Sequence, residues 1–233
     1  MEIFNEWLVF ALILFGIWII VFILKKNARK EMLVVSLLTM PFGLTEPLFV
    51  PEYWNPPSLF NLAARIGFDI ESLIFSFAIG GIGSVIYETV FKSNLKKMSG
   101  QERNHWRHKF HLFSLFSPII VFLPLFFFTR LNPIYSVSIS MAVGGIAAMF
   151  CRPDLKKINI LGGFLFLVLY FLFFISFNIF YPYAVEQFWN LSALSGILIW
   201  GVPLEELIFA FTFGMMWSSI YEHIIGYKLL KDK

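Results

Sequence analysis

Two adjacent carboxyl groups, those of Glu205 and Glu206, lie in the run GVPLEELIFAF (201–211), which is otherwise apolar. An ionised carboxylate at membrane depth is energetically costly, so such residues usually face the protein interior and carry a function. Pro203 favours the first turn of a helix, which would place Glu205 where the helix dipole stabilises negative charge. Burial favours the neutral acid instead, and a carboxylic acid that stays neutral near pH 7 can serve as a general acid.

The same pattern occurs earlier in the chain. The segments GFDIESLIFSFAIGGIGSVIYE (67–88) and GVPLEELIFAFTFGMMWSSIYE (201–222) align without a gap and share 11 of 22 residues. Glu71 aligns with Glu205, whereas Ser72 stands in the place of Glu206. Glutamates that serve packing alone, through hydrogen bonds to neighbouring helices, are the open alternative. A duplicated glutamate beside a helix break favours chemistry over packing.

The composition is that of an integral membrane protein. The 233 residues are 58% hydrophobic and 14% charged, and the mean hydropathy is +0.76. Basic residues concentrate in alternate loops, so the positive-inside rule predicts a cell-membrane protein with its N-terminus outside and its C-terminus in the cytoplasm. Seven apolar stretches approach the roughly 20 residues that cross a bilayer, and they are 7–24, 32–50, 69–91, 112–129, 134–151, 158–182 and 203–226.

The two copies of the glutamate motif begin the third and the seventh predicted spans, so they run in the same direction. We therefore predict an all-α membrane protein with seven transmembrane helices, arranged as two parallel three-helix repeats joined by a linker helix. The whole chain, 1–233, forms a single integral membrane domain in this interpretation. Repeat 1 covers about 1–92, the linker loop and helix about 93–131, and repeat 2 about 132–227.

Three further features complete the list of candidate groups. Glu46, between two prolines near the outer end of the second predicted span, is another candidate carboxyl group. The segments EYWNPPS and QFWNLSA, which precede the two motifs, align Trp54 with Trp189. The pairs Tyr87–Glu88 and Tyr221–Glu222 lie 17 residues beyond the aligned glutamates, roughly 25 Å along a helix. We expect these two pairs at the cytoplasmic interface, where the glutamates reach water.

Several other chemistries are not supported. The aspartates Asp69, Asp154 and Asp232 are too far apart in sequence to suggest clustered Mg²⁺ ligands. No G-x-G-x-x-G opens a strand–helix unit, so no dinucleotide fold is predicted. The last span has no lysine for a retinal Schiff base, and a net charge of +3 is no argument for nucleic acid. We therefore predict that the protein uses no cofactor.

Cysteine and histidine give little support for a metal site. The single Cys151 excludes an internal disulfide and a multi-cysteine metal site. His105, His108 and His111 are spaced by three in a basic loop, and their nitrogens could contact a metal. A solvated loop face is the favoured interpretation, so no metal ligand is predicted.

The glutamate pair preceded by proline and followed by aromatic residues resembles the carotenoid (lycopene) cyclase domain, in its fused form. PLEELIF (203–209) carries the resemblance, and FWN (188–190) resembles the tryptophan-bearing loop before it. The resemblance extends over nearly the whole chain. The first repeat departs from the pattern at Phe68, Asp69 and Ser72, as in a divergent member.

The resemblance implies an intramolecular lyase or isomerase and a redox-neutral reaction. An acid protonates the terminal double bond of a linear polyene, the next double bond captures the tertiary cation, and a base removes a ring proton. The implied catalytic residues are Glu205, Glu206, Glu71 and Glu46. Aromatic rings would stabilise the cations by about 0.5–2 kcal/mol each, and the predicted substrate-binding residues are Phe75, Phe77, Phe209, Phe211, Trp54, Trp189 and Pro203.

The implied partners are a hydrophobic polyene substrate and membrane lipid, without nucleic acid. A second copy of the chain or other carotenoid-pathway enzymes are partners that the sequence leaves open. The rival interpretation is a membrane binding or transport protein whose paired glutamates hold a proton or an amphipathic ligand. Transporters also use repeats, broken helices and mid-membrane carboxylates, but their repeats are often inverted, whereas these run parallel.

Overall fold

A computed structural model describes residues 5–91, 95–100 and 106–229, and at Leu95, Arg107, His108 and Leu229 it describes the backbone alone. His105 lies outside the described residues. The structure is dominated by long apolar helices. In chain order the α-helices are α1 (Glu6–Leu24), α2 (Arg29–Thr39), α3 (Leu62–Ile66), α4 (Ile70–Val90), α5 (His111–Phe128), α6 (Pro133–Cys151), α7 (Lys156–Phe180), α8 (Ala184–Phe188), α9 (Leu204–Trp217) and α10 (Ile220–Ile225).

Within the described residues, five helical segments are long and apolar enough to cross a membrane. They are α1, α4, α5, α6 and the segment Pro153–Phe180, which contains α7. The chain is therefore an all-α, multi-pass membrane protein, as predicted. The number of seven spans and the parallel repeats stay predictions, because the stretches 32–50 and 203–226 do not form long continuous α-helices.

The two interrupted stretches differ in what stands at the break. In the first, α2 ends at Thr39 and a 3₁₀ helix follows over Met40–Leu48, with Pro41 in its first turn and Pro47 inside it. Proline lacks a backbone N–H and disturbs continuous α-helical hydrogen bonding. In the second, the buried Ser218 and Ser219 separate α9 from α10, and the Ser218 hydroxyl donates to the Ile158 carbonyl at 3.1 Å.

Two short antiparallel strand pairs accompany the helices. Strand β1 (Leu95–Lys97) pairs with β4 (Tyr227–Leu229), and β2 (Leu198–Ile199) pairs with β3 (Val202–Pro203). The turn between β2 and β3 consists of Trp200 and Gly201, with φ of 53° and 79°. Positive φ at both positions matches the type I′ turn of two-residue hairpins, and glycine adopts it without steric cost. This hairpin leads directly into α9.

The chain divides into two compact units. Unit 1 comprises Met1–Ile82, Asn132–Ile134 and Leu169–Leu207. Unit 2 comprises Gly83–Leu131, Tyr135–Val168 and Ile208–Lys233. The predicted boundaries of the repeats and of the linker stay predictions.

Aromatic packing holds unit 1 together. Phe10 of α1 meets three phenylalanines of α7 with ring centroids 4.5–5.6 Å apart, in edge-to-face geometry. That arrangement places the positive ring edge against the negative face. The 3₁₀ helix packs directly on the start of α4, because a Cβ added at Gly43 would lie 2.6 Å from the Ser72 carbonyl oxygen. Glycine at this position lets the two backbones approach, which brings Glu46 close to α4.

Unit 2 contains a buried arginine that ties the end of α6 to the last helix. The Arg152 guanidinium, 1% exposed, forms two hydrogen bonds with Asp154, at 2.9 and 2.7 Å. It also donates to the carbonyls of Glu222 and Tyr227. Tyr221 and Glu222 are buried, so the expectation that Glu222 reaches water is wrong. The break before α10 redirects the chain and packs this helix inside the unit.

Candidate active site

Glu206 lies in the first turn of α9 and accepts three hydrogen bonds from aromatic side chains. The Tyr53 hydroxyl donates to Oε1, and the Trp189 indole N–H donates to the same oxygen at 2.8 Å. The Tyr170 hydroxyl donates to Oε2 at 3.0 Å. All four side chains are buried. Both oxygens of this carboxyl group are therefore fixed by donors, which an ionised carboxylate accepts best.

Two loops position the donors from Tyr53 and Trp189. Trp54 and Trp189 pair in an isolated antiparallel bridge. The backbone N–H of Asn55 donates to the Phe188 carbonyl at 2.7 Å, and the backbone N–H of Asn190 donates to the Tyr53 carbonyl at 2.9 Å. The indole N–H of Trp189 also approaches the Tyr53 hydroxyl at 3.1 Å. This backbone pairing holds both donors against one carboxyl group.

Tyr53 stays a donor under ordinary conditions. Burial raises the pKa of its hydroxyl well above the usual value, and the negative charge of Glu206 raises it further. The hydroxyl therefore keeps its proton at physiological pH. Tyr53 can hold Glu206 in place or relay a proton, but it does not act as an anion.

Glu205 is also in the first turn of α9, as predicted, and only 2% of it is exposed. Its Oε1 accepts a hydrogen bond from the backbone N–H of Ser195, at 2.8 Å, in the loop before β2. Pro203 lies one residue before the helix, in β3, so it delivers the chain into the first turn. The loop before the motif thus binds the carboxyl group at the start of the helix that follows it.

Glu71 has an equivalent arrangement at the start of α4. It is fully buried in the first turn, and its Oε1 accepts from the Leu59 backbone N–H at 2.6 Å and from the Asn5 side-chain amide at 3.0 Å. The other oxygen, Oε2, is buried and has no hydrogen-bond partner among the described residues. An acid with a free oxygen inside an apolar site is suited to proton delivery.

Glu46 lies beside Asp69, which stands just before α4, and beside Ser72, which lies in the first turn of α4. Asp69 caps this helix, because its Oδ1 accepts from the Ser72 N–H at 2.5 Å. Burial raises the pKa of Asp69 above its usual value. Glu46 also lines a cavity of about 610 Å³ in unit 1, bounded mainly by the loop from Val50 to Gly67. That volume is in the range of small-molecule sites.

The predicted aromatic residues divide between the two units. In unit 1, Phe75 contacts Trp7, with centroids 5.3 Å apart, and Phe77 contacts Trp18 at 5.1 Å. In unit 2, Phe209 contacts Phe213 at 5.7 Å, and Phe211 contacts Phe164 at 5.0 Å. All four predicted phenylalanines are half-buried. Their role in substrate binding stays a prediction.

Of the two predicted tryptophans, Trp189 binds the buried carboxyl group of Glu206, and Trp54 packs against Trp189. The rings of Trp54 and Trp189 have centroids 5.5 Å apart. Trp7 meets Trp54 edge-on at 4.5 Å, and Phe174 meets Trp189 at 5.4 Å. The result is a continuous aromatic cluster, defined here as Trp7, Tyr53, Trp54, Tyr170, Phe174 and Trp189.

Sequence reasoning did not identify Tyr53, Tyr170 and Trp7. Tyr170 carries a detectable signal, because it is a lone polar tip in a span of phenylalanine and leucine. A buried tyrosine hydroxyl normally requires a partner. Tyr53 has a weaker signal, since the aligned position in the second copy is Phe188. Trp7 offers no signal beyond its membership of an apolar span.

Among its described residues, unit 1 buries six carboxyl groups, which are those of Glu31, Glu46, Asp69, Glu71, Glu205 and Glu206. Buried carboxyl groups cost stability and are concentrated at functional sites. Glu71 and Glu205 each accept a loop N–H on Oε1, where Glu71 also accepts from the Asn5 side-chain amide. Glu206 accepts from three aromatic donors. The arrangement can supply acids and a carboxylate beside electron-rich rings.

Comparison with known proteins agrees with this chemistry. Residues 132–224 match the family model described as lycopene cyclase. No curated protein and no solved structure matches the chain significantly. The matched segment includes α6, α7 and α9, and with them Tyr170, Trp189, Glu205 and Glu206, whereas Glu46 and Glu71 lie outside it. The resemblance predicted from PLEELIF is confirmed there, because residues 132–224 match the lycopene cyclase model.

Proposed function

We propose that the protein is a carotenoid cyclase that closes the ends of a linear, lycopene-type polyene inside the membrane. One observation carries the proposal: the segment that matches the lycopene cyclase family contains the buried Glu205 and Glu206. A hydrophobic polyene dissolves in the bilayer, so an enzyme that acts on it is expected among membrane helices. The proposed class is an intramolecular lyase or isomerase that needs no redox cofactor.

The reaction is balanced without an oxidant or a reductant. A carboxylic acid transfers its proton to the terminal carbon–carbon double bond of the polyene, which leaves a tertiary cation. The electron pair of a neighbouring double bond then forms the ring bond and moves the positive charge into the ring. A carboxylate removes a proton from a ring carbon, and a new double bond forms. The product is an isomer of the substrate, and the enzyme recovers its proton.

Glu205 and Glu71 are the proposed acids. Each lies in the first turn of its helix and holds a loop N–H on Oε1. Glu71 additionally has a buried oxygen that no described donor reaches. A carboxylic acid proton on that oxygen has no described acceptor, so it is available for transfer to an alkene.

Glu206 and Glu46 are the proposed supporting groups. The three aromatic donors on Glu206 stabilise a negative charge there, and a fixed negative charge stabilises a carbocation and can accept its proton. Glu46 lines the cavity of unit 1 beside Asp69, and that cavity is the proposed position for one end of the polyene. The aromatic cluster around Trp54 and Trp189 would add cation–π stabilisation of about 0.5–2 kcal/mol for each ring.

The decisive experiment is expression in a host that accumulates lycopene. The expected result is conversion of the red linear pigment to cyclic isomers of the same mass, separated by chromatography. The Glu205→Gln/Glu71→Gln double variant is the matched control, and it should leave the linear pigment unchanged. Unchanged pigment with the wild-type protein present in the membrane would overturn the proposal and favour the rival binding or transport function.

The proposed orientation has the N-terminus outside and the C-terminus in the cytoplasm, because basic loops are retained on the cytoplasmic side. Arg130, in the loop before α6, and Lys157, in the first turn of α7, are both exposed and lie on opposite predicted sides. Arg130→Cys should react with a membrane-impermeant maleimide on intact cells, whereas Lys157→Cys should react after lysis alone. The wild type, whose single Cys151 is buried, provides the blank. The reverse labelling pattern would invert the orientation.

A further inference from the structure

Three residues with metal-binding side chains converge in unit 2. His111 begins α5, Cys151 ends α6, and His223 lies in α10. One donor atom from each, a ring nitrogen or the sulfur, lies within 4.8 Å of the other two. The rings of His111 and His223 meet with centroids 4.6 Å apart and planes inclined by 62°. Segments distant in sequence therefore bring three donors to one point.

The donor set and spacing suit a tetrahedral transition-metal ion. Zinc binds thiolate at about 2.3 Å and imidazole nitrogen at about 2.0–2.1 Å, so two imidazole nitrogens and one sulfur stand about 3.3–3.6 Å apart around it. The donor atoms lie within 4.8 Å of one another, and side-chain rotation can close the remaining difference. Imidazole with thiolate is preferred by borderline-soft ions such as Zn²⁺ over Mg²⁺ or Ca²⁺. Three protein ligands leave a fourth position for water.

Burial and local charge are compatible with a bound cation. Cys151 and His223 are buried and His111 is half-buried, so the site has one side near solvent. The adjacent cation, Arg152, is 2.7 Å from Asp154 in an ion pair and also donates to two backbone carbonyls. Its charge is thus compensated locally. The proposed orientation puts these helix ends on the cytoplasmic side, where thiols remain reduced.

Helix α5 has the least packing of the five candidate spans. Only 11% of the most apolar part of α5 is buried, against 72% for α4 and 44% for α6. A helix with so little packing makes few van der Waals contacts with neighbouring helices, and such contacts drive helix association in a bilayer. A metal ion bound through His111 would attach its first residue to α6 and α10, as structural zinc sites do.

We propose that His111, Cys151 and His223 form a structural site for a borderline-soft divalent transition metal, with Zn²⁺ as the physiological ion, that fastens the start of α5 to α6 and α10. The site is separate from the proposed cyclase carboxyl groups, all of which belong to unit 1. It binds metal whether or not the chain cyclises carotenoids.

The test uses the full chain in detergent micelles, purified through a tag that contains no histidine. Protein stripped with a chelator is titrated with Co²⁺ as a spectroscopic probe. Because Cys151 is the single cysteine, a sulfur-to-cobalt charge-transfer band can arise from this site alone. The expected results are that band, tetrahedral d–d bands, their loss on adding Zn²⁺, and about one Zn²⁺ per chain by elemental analysis.

Matched variants locate the ligands. Cys151→Ser should abolish the charge-transfer band, and His223→Gln should weaken Zn²⁺ binding by at least about tenfold, since even outer-shell changes cost about 10–100-fold. The control is His105→Gln/His108→Gln, which removes the other two histidines and should bind like wild type. No band in the wild type, wild-type affinity in Cys151→Ser, or lost binding in the control would each overturn the proposal.

A measurement without any substitution covers the case in which a variant fails to fold. Zn²⁺ should slow the reaction of Cys151 with a small thiol reagent in the wild-type chain, because a metal-bound thiolate is shielded. Mg²⁺ at the same concentration should have no effect. Equal reaction rates with and without Zn²⁺ would contradict the site. Neither readout depends on pigment formation, so a failed cyclase proposal and a failed metal proposal remain distinguishable.

Discussion

In unit 1, the start of α4 at Glu71 and the start of α9 at Glu205 have the same arrangement. They differ in which residues supply a second carboxyl group. Glu71 and Glu205 both lie in the first turn of a helix, both are buried, and both accept a backbone N–H from the loop that precedes the helix. Beside Glu205, the next residue, Glu206, is bound by three aromatic donors. Beside Glu71, the next residue is Ser72.

The end around Glu71 nevertheless contains additional carboxyl groups. Asp69 caps α4, and Glu46 reaches the same place from the 3₁₀ helix, which packs on α4 at Gly43. The missing motif glutamate is therefore replaced in space by carboxyl groups from outside the motif position. The repeat that lacks the second motif glutamate therefore still has carboxyl groups at the start of its helix. Glu205 has a rigid carboxylate neighbour, whereas Glu71 has a pair of neighbouring acids.

The largest expected effect is that of Glu205→Gln. Glutamine keeps the shape and the acceptor for the Ser195 N–H but cannot deliver a proton. We expect turnover to fall about 10²–10⁴-fold, the usual contribution of general acid–base catalysis. Cyclised pigment per amount of membrane-inserted protein is the measurement. Glu186→Gln, at an exposed position on α8, is the matched control and should retain activity. Full activity in Glu205→Gln would reduce this glutamate to a packing role.

Glu71→Gln sharpens the comparison between the two ends. If each end serves one terminus of the polyene, this variant should accumulate a product with one ring, and Glu205→Gln should do the same. If the two acids act together on one terminus, both variants should lose about 10²–10⁴-fold of all cyclisation. Chromatography separates linear, singly cyclised and doubly cyclised pigments. A variant that yields doubly cyclised pigment at the wild-type rate would exclude Glu71 from the chemistry.

Removal of one donor from Glu206 should have an intermediate effect. Tyr170→Phe deletes the hydroxyl that donates to Oε2 and leaves the ring in place. A hydrogen bond to a charged group contributes about 1.5–3 kcal/mol, so the thermal midpoint in detergent should fall, and turnover should fall by about tenfold, or about 1.4 kcal/mol in the barrier. Tyr183→Phe, 66% exposed, is the control for the same chemical change. Equal behaviour of the two variants would contradict the role of Tyr170.

The sequence predicts the parts of this comparison that depend on local pattern. Apolar length predicts α1, α4, α5 and α6, and the residues before the glutamates place Glu205 in the first turn of its helix. The family resemblance follows from a few adjacent residues, PLEELIF, and the match over 132–224 confirms it. Such features require only contacts within about one helix turn or one matched motif.

Features that depend on distant contacts could not be predicted. Tyr53 and Tyr170 lie 153 and 36 residues from Glu206, and neither distance follows any helical or strand period. The break at Ser218–Ser219 contains no proline or glycine, and the Ser218 hydroxyl there binds the Ile158 carbonyl of another helix, a contact that the local sequence does not indicate. By contrast, Pro41 and Pro47 indicate from the sequence that no continuous α-helix covers Met40–Leu48. A span assignment by hydropathy misses this, because it does not take account of proline.

Glu46→Gln tests whether a carboxyl group from outside the motif serves the end around Glu71. We expect a loss of about tenfold, or about 1.4 kcal/mol in the barrier, confined to the terminus that Glu71 serves. The effect should be smaller than that of Glu71→Gln, because Asp69 remains beside the same helix start. Glu52→Gln, exposed in the neighbouring loop, should match wild type. A loss in Glu46→Gln as large as in Glu71→Gln would make Glu46 the acid.

The smallest expected effect on turnover is that of Glu222→Gln, which separates burial from catalysis. Glu222 is as fully buried as Glu71, but it belongs to unit 2, and its backbone carbonyl is what binds Arg152. Glutamine preserves that carbonyl and the side-chain shape, and it removes an ionisable group whose pKa is raised to about 8 by burial and by the nearby Glu88. Turnover should therefore stay within about twofold of wild type, or about 0.4 kcal/mol. A loss comparable to that of Glu71→Gln would show that burial of a glutamate in this protein, rather than its place in the motif, determines activity.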